Sequence, residues 1–257
     1  MSKARAQTCV ITGAASGIGA ALAEVFVKRG CKVIGIDRDA ALAKKVQVQL
    51  GEKVRFLEAD LASKGGLESL TTELANVRID VLVHSAGISA IGAFELTNLS
   101  KNLTVLDVNL RSPVQLTRAL LTSGSLQRGG SIVFVSSLSH FVSYPGAAVY
   151  AASKDGLVAY ARSLSVALKP QGIHVLSVFP GPTRTPHAAK YSPDNSREAA
   201  RMSPDVLAQK IVKAVENKRY RLVPGWGNKL FALAGTWLPV TTERIMVKTL
   251  FDKIREK

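Results

Sequence analysis

The chain has few cysteines, no long apolar run and no segment typical of secretion. Its 257 residues include two cysteines, Cys9 and Cys31, both in or beside short apolar stretches. Their number and spacing suit neither a disulfide framework nor a metal site, so we expect buried thiols in a reducing compartment. Residues 1–7 are polar and basic, and no apolar run reaches the ~18 residues of a membrane span. The sequence therefore predicts a cytoplasmic protein that holds no metal.

Acidic residues are also scarce. The chain has 19 acidic residues against 34 basic ones, which gives a formal net charge of +15. Such an excess is typical of proteins that meet nucleic acid, an anionic membrane surface or acidic substrates. Here the basic residues are scattered rather than clustered with aromatics, which predicts no nucleic-acid binding. With 47% apolar residues and no repeats or linkers, residues 1–257 are predicted to form one domain.

Short apolar stretches alternate with amphipathic segments along the chain. The apolar stretches predict strands at residues 7–11, 32–36, 54–59, 80–83, 132–135, 173–179 and 220–223. The amphipathic segments predict helices at residues 17–29, 39–50, 64–76, 99–121, 150–168 and 203–217, the fourth kinked at Pro113. Such alternation builds right-handed βαβ units. We therefore predict an α/β fold, a doubly wound Rossmann fold with a mainly parallel seven-stranded sheet and helices on both faces.

A glycine-rich turn follows the first predicted strand and opens the first helix. Glycines there permit a tight turn, a close approach of the backbone to a pyrophosphate, and close helix packing. The helix N-terminus adds amide donors and the positive end of its dipole. The spacing, G-x-x-x-G-x-G, differs from the commonest G-x-G-x-x-G pattern. We predict that this turn binds a dinucleotide through Gly13, Ser16, Gly17, Ile18 and Gly19.

Asp37 ends the second predicted strand, where an acidic side chain can accept hydrogen bonds from the adenosine ribose. Arg38 follows and could instead attract the 2′-phosphate of NADP. Because the Asp37 carboxylate would repel that phosphate, the sequence favours NAD over NADP and leaves NADP possible. Asp37 could also cap the helix that begins near Asp39, and the two roles are compatible.

Tyr150 and Lys154 stand four residues apart in the predicted helix 150–168, so their side chains share one face. A phenol with its ordinary pKa of ~10 is a poor acid or base at neutral pH, but a neighbouring ammonium lowers that pKa. Alone, this spacing also occurs in ordinary surface pairs. Ser137, however, directly follows the predicted strand 132–135, where open α/β sheets place their ligands. We therefore predict a catalytic group of Ser137, Tyr150 and Lys154.

Further short motifs occur in order between these features. They are Asp60, Ala86-Gly87, Asn109 and Pro180-Gly181. Together with the glycine turn, Ser137 and the Tyr150–Lys154 pair, they make seven motifs. In the order and spacing of these motifs, the chain resembles the short-chain dehydrogenase/reductase family over about residues 6–225. The resemblance implies an NAD(P)-dependent oxidoreductase.

The resemblance also implies roles for individual residues. Tyr150 would exchange a proton with the substrate oxygen, which Ser137 would polarise. Lys154 would bind the nicotinamide ribose and lower the pKa of the tyrosine, and Asn109 would hold a water that links the lysine to solvent. The implied cofactor contacts, beyond the glycine turn and the pair Asp37 and Arg38, are Asp60, Leu61, Ala86, Gly87, Ile88, Tyr150, Lys154, Pro180, Gly181, Thr183 and Thr185.

The chain departs from the family pattern before Ala86. The family usually has two asparagines there, and this chain has His84 and Ser85. Those positions brace the sheet and shape the cofactor floor, so we expect altered support without loss of activity. His84 is interpreted as a core histidine with a hydrogen-bond partner and not as a catalytic group.

The last part of the chain resembles the family less. Residues 182–203 are polar and are predicted to form a mobile substrate lid. Residues 226–257 are predicted to add helices at 228–238 and 242–254, rich in large apolar side chains and flanked by basic ones. Such a C-terminal segment could pack as a lid on an apolar pocket, form a dimer contact or lie in a membrane interface. We favour packing against protein to peripheral membrane contact.

The leading functional prediction is an NAD-dependent enzyme that interconverts an alcohol and its ketone or aldehyde on a hydrophobic, steroid-, retinoid- or acyl-like substrate. The alternative enzyme is an NADPH-dependent 3-oxoacyl reductase, and the alternative without catalysis is a dinucleotide-sensing or nucleic-acid-binding relative. Because helix 150–168 is apolar on nearly every side, with small residues Ala152, Gly156 and Ala159, we also predict a homodimer or homotetramer through it.

Overall fold

A sheet of seven parallel strands forms the centre of the fold. The computed structural model describes residues 6–142, 144–192, 194–196 and 198–251. Its strands are β1 Thr8–Thr12, β2 Lys32–Asp37, β3 Val54–Glu58, β4 Ile79–His84, β5 Leu126–Val135, β6 His174–Val178 and β7 Arg221–Leu222. They lie in the order β3-β2-β1-β4-β5-β6-β7. The predicted seven-stranded, doubly wound parallel sheet is confirmed.

Helices connect the strands. They are α1 Gly17–Lys28, α2 Ala40–Leu50, α3 Lys64–Leu74, α4 Leu99–Leu106, α5 Ser112–Thr122, α6 Ala148–Ala167, α7 Pro186–Tyr191, α8 Pro204–Glu216, α9 Trp226–Trp237 and α10 Pro239–Met246. The helices α1 and α8 pack together on one face of the sheet, whereas α3, α5 and α6 contribute to the core on the other face. This places helices on both faces, as predicted.

Alternation along the strands divides the core into two halves. On β1, Cys9 and Ile11 point to the half that contains Leu22 of α1, and Val10 points to the half that contains Leu157 of α6. This is the two-residue periodicity of a strand that is buried on both faces. Cys9 and Cys31 are both buried and free, which confirms their interpretation as core thiols.

The predicted helix 99–121 is interrupted. The helix α4 ends at Leu106, a π-helical turn covers Asp107–Arg111, and α5 begins at Ser112. Pro113 lies in the first turn of α5, directly after the π-helical turn, so the interruption falls next to the proline and the predicted kink stays a prediction. The π-helical turn carries Asn109.

The C-terminal helices differ from their predicted bounds and packing. The helix α9 begins at Trp226, α10 begins at Pro239, and a π-helical turn follows at Val247–Phe251. The predicted continuation to residue 254 lies outside the described residues, as does the side chain of Phe251. The favoured packing is only partly correct, because Phe231 joins the core whereas Trp226 and Trp237 are exposed. Within the described ranges, no helix has the length and apolarity to cross a bilayer.

Candidate active site

A cleft of about 1490 Å³ opens at the carboxyl ends of the strands. The strand order reverses between β1 and β4, and crevices at such reversals are where doubly wound sheets bind ligands. Every predicted cofactor residue lines this cleft, as do Ser137, Tyr150 and Lys154. Asn109 lies behind the wall, fully buried. The structure thus brings together residues from seven segments that are separated in sequence.

The glycine turn has the close approaches that only glycine permits. Gly13 has a φ of +67°, and a Cβ added there would lie 2.8 Å from the Cα of Ala86. A Cβ on Gly19 would lie 2.0 Å from the carbonyl oxygen of Gly13. The N-cap of α1, Ser16, makes no capping hydrogen bond with its side chain. The first-turn amides therefore face the cleft as donors without a side-chain cap, and this cradle fits a pyrophosphate.

Asp37 is fixed beside this turn. Its Oδ2 accepts a hydrogen bond of 3.0 Å from the amide of Ala15, and its Oδ1 accepts one of 3.1 Å from the amide of Asp39. The helix cap is Asp39, whose carboxylate accepts from the amide of Leu42, so the alternative role of Asp37 as cap is wrong. Arg38 is exposed at the rim of the cleft. The geometry therefore presents a carboxylate where an adenosine ribose would lie.

Two buried side chains brace the floor of the cleft. The hydroxyl of Thr12 accepts hydrogen bonds of 3.1 Å from the amides of both Ser85 and Ala86. The Oδ1 of Asn109 accepts from the amide of Ile88 at 2.9 Å, while its Nδ2 donates to the carbonyl of Ile88 at 2.9 Å. These bonds hold the loop after β4 in place. The bracing role of Thr12 was not predicted, since it depends on which strands become neighbours.

Asn109 also reaches the catalytic helix. Its Nδ2 donates to the hydroxyl of Ser153 on α6 at 3.0 Å. The side chain therefore ties the π-helical turn to the loop after β4 and to α6 at once. The predicted water between Asn109 and Lys154 stays a prediction, because the hydrogen bonds of the Asn109 side chain go to Ile88 and Ser153.

The three predicted catalytic side chains meet at one point of the cleft. Ser137 lies beside Tyr150, close enough to oppose the rise of the pKa of its phenol. The Nζ of Lys154 lies 5.8 Å from the centre of the Tyr150 ring and donates a hydrogen bond of 2.9 Å to the carbonyl of Val135. Lys154 is buried. A hydroxyl, a phenol and an ammonium thus converge beneath one opening, which is the arrangement that acid–base work on a substrate oxygen needs.

Burial dominates the electrostatics of this group. It raises the pKa of Tyr150 to about 12, against the opposing effect of the hydrogen bond with Ser137. It also lowers the pKa of Lys154 to about 8. The expected low pKa of Tyr150 is therefore not found, because desolvation of the phenolate dominates, and the lowering contribution of Lys154 stays a prediction. At neutral pH Tyr150 is a protonated phenol.

Two aromatic residues of the cleft were missed in the sequence. The ring centres of Tyr144 and His187 lie 6.1 and 6.2 Å from that of Tyr150. Burial, followed by the charge of Lys154, lowers the pKa of His187 to about 4, so this imidazole is neutral. The segments that carry both residues have no periodicity, so their position follows only from the folded chain.

The predicted lid covers one side of the cleft. Thr185 caps α7 by accepting from the amide of Ala188. The guanidinium of Arg201 then holds the segment after α7 through its Nη2, with acceptors at Ser192 Oγ (2.9 Å), the Asp194 carbonyl (2.9 Å) and Asn195 Oδ1 (2.8 Å). The lid therefore has its own hydrogen-bonded structure, and its mobility stays a prediction.

His84 is a core histidine, as interpreted. It is buried, its Nε2 lies 2.8 Å from the hydroxyl of Thr117, and its ring stacks on Phe134 with centres 5.0 Å apart. Burial lowers the pKa of His84 to about 3, so it is neutral and takes no part in proton transfer.

Comparison with known proteins agrees with this geometry. Residues 7–196 match the profile of a family described as short chain dehydrogenase. The chain is 32% identical to the dehydrogenase/reductase SDR family protein 7-like of Drosophila melanogaster, over 81% of this chain and 69% of the relative.

Two solved structures are also similar. A short-chain dehydrogenase from Sphingobium yanoikuyae in complex with NADPH has a TM-score of 0.75 and 28% identity, over 89% of this chain and 92% of its own. A 3-ketoacyl-(acyl-carrier-protein) reductase from Brucella melitensis complexed with NADH has a TM-score of 0.77 and 25% identity, over 86% and 98%. With the family profile, the relative and the site in agreement, the chain belongs to the short-chain dehydrogenase/reductase family of oxidoreductases.

Proposed function

We propose that this protein is an NAD-dependent oxidoreductase that interconverts a primary or secondary alcohol and its aldehyde or ketone on a hydrophobic substrate. The observation that carries the proposal is the convergence of Ser137, Tyr150 and Lys154 in the cleft that also contains the glycine turn and Asp37. Acid–base groups and a dinucleotide cradle in one cleft are what hydride transfer to or from a carbon–oxygen bond requires.

The described residues fit a nicotinamide dinucleotide. The amides at the start of α1 would hold the pyrophosphate, Asp37 the adenosine ribose, Asp60 and Leu61 the adenine, and Lys154 the nicotinamide ribose. When bound, the cofactor supplies or accepts the hydride. The remaining chemistry belongs to side chains of the protein.

Tyr150 is suited to act as an acid. With a pKa of about 12 its phenol is protonated at neutral pH, so it donates its proton as negative charge develops on a carbonyl oxygen. The Ser137 hydroxyl donates a second hydrogen bond to the same oxygen and polarises it. The Lys154 ammonium, charged below its pKa of about 8, stabilises the phenolate that remains. Oxidation of an alcohol follows the reverse path.

The outer part of the cleft supports a hydrophobic substrate. Its walls carry Leu138, Val142, Met202, Phe231 and Met246. Apolar lining with a few convergent polar groups is typical of sites for hydrophobic small molecules. A panel of hydrophobic alcohols and ketones, assayed with both cofactors by the absorbance of reduced nicotinamide, tests the proposal. Turnover of 3-oxoacyl thioesters alone, with NADPH, would replace it by the 3-oxoacyl reductase alternative.

Asp37 is proposed to set the cofactor preference. The two similar structures contain NADPH and NADH respectively, so the family alone leaves the preference open. Asp37→Ser removes the charge that would repel a 2′-phosphate and leaves Arg38 to attract it. We expect the ratio of kcat/KM for NADP(H) to that for NAD(H) to rise about tenfold or more, which is roughly 1.4 kcal/mol.

Asp39→Ser is the matched control for this change. It removes a carboxylate two residues away, and because serine also caps helices well, α2 should stay capped and the cofactor ratio should stay unchanged. A wild type that already prefers NADPH would contradict the role of Asp37.

We further propose that α6 forms a two-fold interface between copies of the chain. The outer side of α6 exposes the small residues Ala152 and Ala159, which permit close approach of a second helix. Gly156 lies on the same side but is packed against Leu110, because an added Cβ would lie 3.0 Å from that side chain. Light scattering at micromolar concentration should give the mass of a dimer or tetramer. A monomer with full activity would exclude the interface.

A further inference from the structure

The outer side of α9 carries four large apolar side chains in one stripe. Trp226, Leu230, Leu233 and Trp237 are exposed over 79%, 64%, 56% and 75% of their surface. They follow one another at steps of four, three and four residues, which places all four on a single side of a helix. We call these four residues the apolar stripe. An exposed stripe of this kind, with a tryptophan at each end, marks an interaction surface.

The position of the stripe is fixed by the opposite side of α9. Ala232 is buried there, and Gly235 is packed so closely that a Cβ would lie 2.1 Å from the carbonyl oxygen of Phe141. Asn228 and Phe231 on the same helix line the substrate cleft. The helix cannot turn its stripe inward without losing these contacts, so the stripe faces outward in the folded protein.

The chain segment that contains the stripe is basic. Residues 217–242 contain no acidic side chain and four basic ones, Lys218, Arg219, Arg221 and Lys229. The Nζ of Lys229 lies 4.7 Å from the ring centre of Trp226, so a cation borders the stripe directly. The acidic residue that precedes this segment, Glu216, is paired with Arg29 at 2.8 Å, and the one that follows it is Glu243 on α10. The surface is therefore apolar and basic together.

We propose that the apolar stripe and the basic residues around it dock the protein peripherally on an anionic lipid surface. Tryptophans are favoured at the level of the lipid headgroups, and basic side chains are attracted to anionic lipids. The 12 residues of α9 span about 18 Å, so the helix lies along the surface and does not cross it.

A second copy of this chain fits the surface less well. A two-fold contact pairs a patch with itself, and this patch would bring the basic segment that contains Lys229 against a second copy of itself. An anionic lipid surface neutralises the same residues and buries the same apolar side chains. The lipid surface is therefore the occupant that the charges favour.

Docking in this way places a wall of the substrate cleft next to the lipid. Residues of α9, of α10 and of the C-terminal turn, namely Phe231, Met246 and Thr249, line that cleft. A hydrophobic alcohol or ketone dissolved in the lipid would then have a short path to Tyr150. This consequence rests on the proposed function, whereas the docking itself does not, so vesicle binding and turnover can fail independently.

The chain provides its own reporter for the test. Its two tryptophans are both in the apolar stripe, so the tryptophan emission of the full chain reports on this surface alone. The protein is titrated with vesicles of phosphatidylcholine, with and without phosphatidylserine, and bound protein is measured by co-sedimentation. We expect a blue shift and co-sedimentation with the phosphatidylserine vesicles, both weakened by salt.

Two sets of variants distinguish binding through the apolar stripe from nonspecific binding through any exposed apolar side chain. Leu230→Ser with Leu233→Ser keeps both tryptophans and should lower vesicle affinity at least tenfold. Lys229→Gln should lower it about fivefold. Leu99→Ser with Leu103→Ser, which removes apolar side chains exposed over 70% and 51% on α4, is the matched control and should change nothing. Neither leucine pair lines the cleft, so basal turnover should persist in both double variants.

Several results would overturn the proposal. They are an unshifted emission with protein left in the supernatant, equal binding to vesicles of both compositions, and an equal loss of binding in the α4 control. A fall in the solution mass of the Leu230→Ser, Leu233→Ser variant without lipid would also overturn it, because the surface would then be an interface between copies of this chain.

Discussion

Tyr150→Phe should abolish turnover and leave cofactor affinity nearly unchanged. The substitution removes only the phenolic hydroxyl, which the site holds beside Ser137 with a pKa of about 12, ready to donate its proton. General acids of this kind contribute roughly 10²–10⁴-fold to the rate. The ring and its buried contacts remain, so the fold should tolerate the change. Initial rates and the dissociation constant of NADH, measured on the same preparation, test this.

Tyr144→Phe distinguishes the two phenols of the cleft. Their ring centres lie 6.1 Å apart, and burial raises the pKa of both hydroxyls. Of these two phenols, only Tyr150 lies beside both Ser137 and Lys154, so we expect Tyr144→Phe to retain activity within about tenfold of wild type. If Tyr150→Phe behaved in that way and Tyr144→Phe lost turnover, the proton donor would have been assigned to the wrong residue.

Lys154→Met should destroy activity and stabilise the fold. The ammonium lies buried, with one hydrogen bond to the carbonyl of Val135. Its loss removes the charge that stabilises the Tyr150 phenolate and the contact proposed for the nicotinamide ribose, so rate and cofactor affinity fall together. It also removes a charge that burial penalises. At pH 7 we expect a gain of roughly 1–3 kcal/mol in the free energy of unfolding, measured in urea.

The gain should depend on pH in a defined direction. Burial lowers the pKa of Lys154 from 10.5 to about 8, so between these values the folded wild type binds fewer protons than the unfolded chain. Wild-type stability therefore rises with pH across this window, and the advantage of Lys154→Met shrinks from pH 8 toward pH 10.5. Lys101→Met, at an exposed lysine on α4, is the control and should show no such window. If the stability advantage of Lys154→Met did not change with pH, the claim that Lys154 carries a buried charge would be contradicted.

Much of the site was predictable because its signals are local. The glycines of the turn are fixed by contacts within the β1–α1 unit and with the loop after β4, and the sequence shows them next to each other. Tyr150 and Lys154 share a face of α6 through helix geometry alone. The order of strands and helices follows from periodicity, which is why the sheet was predicted correctly.

The remaining features depend on tertiary structure. The sign of the pKa shift of Tyr150 is set by burial, which no local pattern encodes. The positions of Tyr144 in a loop and of His187 in the short helix α7 follow only from the folded chain. The outward face of α9 was missed because its apolar residues look the same in sequence whether they are packed or exposed, and only the contacts of Gly235 decide the orientation.

Reduction of a hydrophobic ketone with NADH that carries deuterium at both C4 positions of the nicotinamide tests the central claim most directly. If the cleft brings cofactor and substrate together beside Tyr150, the alcohol product should carry one deuterium at the carbinol carbon and a solvent-derived proton on its oxygen. Mass spectrometry detects the label. A product without deuterium at that carbon, or no reduction across the panel of ketones, would contradict the account.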